Sequence, residues 1–215
     1  MLTDPPPRIV RLARQFAASE KAQRIFLPTE MPLHAESVKL EAALEAESSE
    51  AVKWACRCIL ERLSEHYKIA PPKLMVLGSR PHEVHDGRVA SELFGDYSFS
   101  SARIRVWMRT AVKGRVTSYR GLLNTLLHEF CHHLDVKGLG FEDTPHTRGF
   151  YGRVDELYHA ALATPASKRP PLFWKKSGAV WRIDWQRIRT WRPPPDPIPV
   201  PAPWPTEAAS PTLIE

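Results

Sequence analysis

"LLHEFCHHLD", residues 126–135, places three histidines, a glutamate and an aspartate in one short run. The run reads as the later part of a helix that Thr117 or Ser118 can cap, extending to about Lys137 and ended by Gly138 and Gly140. At about 100° per residue, Asn124, Thr125, Glu129, His132 and Asp135 fall within about 100° of His128. Leu122, Leu123, Leu126, Leu127, Phe130 and Leu134 take the opposite arc, with Cys131 near its margin. His133 falls among the leucines, which predicts a packed or hydrogen-bonded structural histidine. From Leu122 to Asp135 there is no lysine or arginine, so the polar arc does not resemble an ordinary solvated face.

His128 and His132 stand at i and i+4, one turn apart. Their rings can therefore fill two neighbouring vertices of a tetrahedral zinc site. Glu129, rotated by about one position, reaches a water on that ion instead of the ion itself. His128-Glu129-Phe130-Cys131-His132 is thus an HExxH pattern on an amphipathic helix. A catalytic zinc site keeps three protein ligands and an open position. His146, after a glycine-punctuated loop and at the opening of the next helix, is the stronger third candidate, and Glu156 is its rival. Asp135 is suited to hold a ligand's second ring nitrogen, as carboxylates around zinc sites do. His34, His66, His82, His85 and His159 lack comparable spacing and read as surface or structural residues.

Around this helix the chain alternates between helical and extended patterns. "RIVRLARQFAAS" (8–19) is a short basic helix, and "FLPTEMPLH" (26–34) is proline-broken and extended. A helical stretch from about Ala35 to Tyr67, with a break at Ser48-Ser49, precedes a strand at 73–79. Residues 96–108 read as two strands around Ser100-Ser101. The second puts Ile104 and Val106 on one face, with Arg103, Arg105 and Trp107 on the other. Thr144 and Pro145 are expected to cap and open the helix with the stripe Phe150, Val154, Leu157 and Ala161. The order implies an α+β domain over 36–165 after an N-terminal arm (1–35). A basic, Trp-rich extension (166–192) and a Pro-rich disordered tail (193–215) follow.

"TLLHEFCHHLD" followed by "HTRGF" resembles the SprT-like zinc metalloproteases, whose HExxH helix is followed by a histidine opening an H-G-x-x-F/W segment. The preceding helix, strand, Gly95-Asp96-Tyr97 and "ARIRVW" fit the same layout, so the resemblance spans about 50–165. It implies a zincin-like minimal metalloprotease domain: a small β-sheet packed with an N-terminal helix, the HExxH helix and a following helix. It also implies that His128, His132 and His146 bind zinc and that Glu129 is the catalytic base. Thr147 stands where the family usually has glycine, and no CxxC…CxxC ribbon follows.

The expected activity is hydrolysis of peptide bonds in a protein or peptide substrate, Glu129 moving the proton of a zinc-activated water. Tyr151, Tyr158 or Arg148 would add a donor, and the 103–108 strand would pair with the peptide. A non-catalytic zinc-stabilised regulatory or nucleic-acid-binding module is the alternative.

Composition bounds the rest. The 215-residue chain carries net charge +6, and residues 168–192 are basic, holding eight lysines and arginines against Asp184. Their tryptophans either stack on nucleic acid or, as we expect, pack a hairpin onto the domain with Trp181, Ile183 and Trp185 alternating. No run approaches the roughly 18–20 apolar residues of a membrane span. Three cysteines without a framework (Cys56 and Cys58 as helix residues) predict a reducing, cytoplasmic setting.

Overall fold

The structure, a computed structural model, describes residues 1–25, 27, 33–86 and 88–193. The described residues form an α+β arrangement of six helices and small sheets. Most of 26–34 and all of 194–215, where the extended segment and the disordered tail were expected, lie outside the described residues. Leu33 and His34 already belong to α2.

Helices α1 (Val10–Lys21), α2 (Leu33–Glu45) and α3 (Ser49–His66) come first. The break at Ser48 is a helix cap: its hydroxyl accepts from the Ala51 N–H, satisfying a donor that the first turn of α3 cannot. Val52, Ala55, Cys56, Ile59, Leu60 and Leu63, spaced by three and four, form the buried face of α3. Cys58 faces away from that stripe and all three cysteines are free.

Strands β1 (Lys73–Ser79), β4 (Gly95–Ser98) and β5 (Arg103–Arg109) make the main sheet in the order β1-β5-β4. β1 runs parallel to β5 and β4 antiparallel to it. Between them lies a hairpin, β2 (His82–His85) and β3 (Arg88–Glu92), that sequence patterning did not reveal. Ile104 and Val106 are buried as expected. Trp107, on the opposite face with Arg103 and Arg105, is buried too. Burial on both faces is confined to the later part of the strand, from Val106 to Met108.

Helix α4 (Tyr119–Leu134) is capped by Ser118, whose hydroxyl accepts from the Gly121 N–H. It packs on β4 and β5 on one side and on α5 (Arg148–Ala161) on the other. The α-helix does not reach Lys137. Asp135–Leu139 form a wider π turn closed by Gly140 in the left-handed conformation, and wide turns of this kind often mark functional sites. The cap of α5 is Thr147, whose hydroxyl accepts from the Phe150 N–H. The expected cap at Thr144 and start at Pro145 are therefore corrected: Thr144 is engaged elsewhere.

The N-terminal segment and α1 pack on this framework. Leu2 bridges Arg182 of β7 (Val180–Ile183), which pairs with β6 (Trp174–Ser177). Thr3 and Trp181 exchange hydrogen bonds of 2.9 and 2.8 Å. Trp174 and Trp181 are half-buried, whereas Trp185 begins the short helix α6 (Trp185–Thr190) and is exposed, so the strand alternation does not extend to it. The C-terminal end of α1 meets α5 at Gly149, where a Cβ would lie 1.8 Å from the Ser19 carbonyl oxygen. Only glycine permits that approach.

The largest fully buried side chain is Arg153 on α5. Its guanidinium donates to the Ser19 and Ala22 carbonyls, to the Ser19 hydroxyl at 3.1 Å and to Asp135 at 2.8 Å. Replacing Arg153 with Ala strands a buried carboxylate and frees the end of α1. The variant is expected to lose about 3–5 kcal/mol, read from urea denaturation midpoints; wild-type stability would contradict this role.

Candidate metal centre

Two of the histidines project from α4 and the third from the segment just before the α5 cap. His128 Nε2 lies 3.2 Å from His132 Nε2 and 3.1 Å from His146 Nε2. One ligand atom from each of the three falls within 4.8 Å of the others, so the three could hold a metal ion. A tetrahedral ion with bonds of about 2.0–2.1 Å separates neighbouring nitrogens by roughly 3.3 Å. The observed spacing is close to that edge. Glu156, the rival ligand, is elsewhere: its carboxylate accepts from the Ile25 N–H at 2.6 Å.

Burial prepares the rings for a cation. Desolvation, helped by His146, holds His128 down at about 3, and desolvation with His128 and His146 holds His132 at about 2. Both are neutral at physiological pH, leaving a lone pair for a metal. Phe150 closes the apolar side, its ring centroid 4.9, 4.6 and 5.0 Å from those of His128, His132 and His146.

The orientation of His132 comes from a chain of polar contacts. With Nε2 directed at the other rings, Nδ1–H donates to the Thr144 hydroxyl at 2.9 Å. That hydroxyl donates to Asp135 at 3.0 Å, and Asp135 is bound by Arg153. Asp135 therefore acts one residue removed from the ring, a correction to direct contact. Burial raises its carboxyl to about 6, with Arg153 and Thr144 opposing. Thr144 has φ 35°, a backbone conformation uncommon for a β-branched residue. Its hydroxyl bonds and the Thr144 N–H to Phe141 carbonyl bond hold it there.

Glu129 lies beside the histidines in a cleft also lined by Asp4, Gly95, Asp96, Tyr97, Phe99 and Asp143. Burial, then the Asp96 carboxylate, pushes Glu129 up to about 8. Asp96 is itself paired with Arg105. A Cβ on Gly95 would meet Thr125 at 2.5 Å and the Glu129 carboxylate at 2.9 Å, so glycine here makes room for the acid. His133 stays out of the cleft: Nε2–H donates to the Ala70 carbonyl at 2.8 Å and Nδ1 accepts from Tyr97 at 3.1 Å.

The expected auxiliary donors are turned away. Arg148 is engaged by Glu20 and lies over Trp181. The Tyr151 hydroxyl donates to the Leu2 carbonyl at 2.8 Å, and Tyr158 lies near Tyr119 and Arg120. The edge beside the cleft is β4, because β5 is paired on both sides. The substrate-pairing role considered for 103–108 is thus excluded by topology.

Three participants escaped the sequence reading. Thr144 looked like a helix cap, Phe150 like core, and Asp4 stands 142 positions from His146, with no local signal linking them. No family model, curated protein or solved structure matches this chain.

Thr144→Val keeps the side-chain shape and removes the hydroxyl between His132 and Asp135. Divalent-metal affinity is expected to fall roughly 10–100-fold, measured by competition with a chromophoric chelator. Unchanged affinity would show that His132 needs no such support.

Proposed function

We propose that this chain is a zinc-dependent metallopeptidase of the SprT-like kind, hydrolysing peptide bonds in protein substrates. The observation carrying the reading is the convergence of three imidazole nitrogens, that of His132 buried and those of His128 and His146 half-buried, beside the buried Glu129 carboxyl in an open cleft. Three imidazole nitrogen donors with room for a fourth ligand suit a catalytic zinc better than a closed structural site. The order of a small sheet, HExxH helix and following helix is what a zincin-like domain would require. Thr147, in place of the family's usual glycine, serves as the α5 cap and bonds Ser19 at 2.9 Å, while Gly149 provides the close approach.

When bound, zinc supplies Lewis-acid polarisation of the peptide carbonyl and brings the pKa of water toward about 7. Glu129 does the proton work. As carboxylate it accepts a proton from the attacking water, and as acid it returns that proton to the leaving amine. Edge strand β4 offers backbone groups on which an extended peptide can be laid across the cleft. Among the described residues no helix is long and apolar enough to cross a membrane.

The test uses zinc-loaded protein and an unfolded protein substrate such as casein. Cleavage is expected to disappear on chelation and return with zinc. Glu129→Gln is expected to retain zinc and lose about 10²–10⁴-fold in kcat. Wild-type cleavage by that variant would overturn the assignment. Stoichiometric zinc with no cleavage by either protein would favour the non-catalytic module instead.

A further inference from the structure

We infer that Asp4 is a positioning residue for His146, which makes the N-terminal segment part of the metal centre; this rests on the metal-binding reading above. Asp4 and His146 meet at three points. The Asp4 N–H donates to the His146 carbonyl at 2.8 Å. The His146 N–H donates to Asp4 Oδ2 at 2.8 Å, and the same oxygen lies 3.4 Å from His146 Nδ1.

The geometry assigns each ring nitrogen one task. His146 Nε2 is 3.1 Å from His128 Nε2, so that nitrogen faces the shared position. Nδ1 is left to carry the proton, and the Asp4 carboxylate is its acceptor. A carboxylate in this place fixes the tautomer and makes the imidazole a better donor to a cation. It also brings a carboxylate to a group of ligands that are otherwise all imidazoles.

His146 needs this help more than its partners do. His128 and His132 are carried by a regular helix, but His146 precedes the α5 cap, in a stretch without regular structure. Its position therefore depends on tertiary contacts: Asp4 on its backbone and ring, Phe150, and the Tyr151 ring stacked 5.8 Å away. The segment carrying Asp4 is anchored in turn by the Thr3–Trp181 and Leu2–Tyr151 bonds. The metal site thus depends on residues from both ends of the described chain.

The test compares full-length wild type with Asp4→Ala, Asp4→Asn and His146→Ala. Zn²⁺ affinity is read by chelator competition, and ligand geometry by the visible d–d bands of the Co²⁺-loaded protein. Asp4→Ala is expected to bind Zn²⁺ roughly 10–100-fold more weakly with altered Co²⁺ bands. Asp4→Asn, which keeps an oxygen for the His146 N–H but no charge, should fall between it and wild type. Thermal unfolding of the metal-free variants verifies folding, and the Asn variant alone decides if the Ala variant unfolds. Wild-type affinity and Co²⁺ bands in a folded Asp4 variant, with binding lost in His146→Ala, would overturn the role of Asp4 and leave the metal site standing. Equal binding by wild type and His146→Ala would overturn both.

Discussion

The guanidinium of Arg153 is the fixed point of this molecule. A fully buried cation needs hydrogen-bond partners, and here both terminal nitrogens of the guanidinium find them at the end of α1 and at Asp135 after α4. That requirement holds α1 against α5, which is why Gly149 must lack a side chain. It also brings the π turn at Asp135 against the loop containing Thr144. From there the constraint reaches His132 through one hydroxyl. A structural ion pair and the orientation of a candidate metal ligand are thus parts of the same network.

The position of α4 explains the electrostatics of the site. A helix with polar residues on one arc would ordinarily leave them in water. Here β4, the Thr144 loop and α5 cover that arc, so Glu129, His132 and Asp135 are all buried. Desolvation then acts on each according to its charge: it keeps the imidazoles neutral and keeps a proton close to Glu129. The chemistry proposed for the cleft follows from that covering as much as from the residue types.

Much of the local structure was legible before any folding. The break at Ser48, the cap at Ser118, the strand at 73–79 and the core role of His133 each follow from capping chemistry or periodicity. Errors occurred where tertiary contacts outweighed local preference. Thr144 before Pro145 has the look of a helix start, yet its hydroxyl is held by His132 and Asp135, and Thr147 takes the cap. Arg148 and Tyr151 had the right chemistry for the cleft and point to other partners.

By itself, the sequence determined the pairing of His128 with His132 and the offset of Glu129, since an α-helix converts spacing directly into direction. It also narrowed the third candidate ligand to His146 or Glu156. Only the tertiary structure brought His146, and not Glu156, beside the pair, because chain packing sets which distant side chain returns to the helix. The same is true of Asp4. Its contact with His146 depends on the N-terminal segment pairing with β7, a long-range backbone interaction with no local periodicity to announce it.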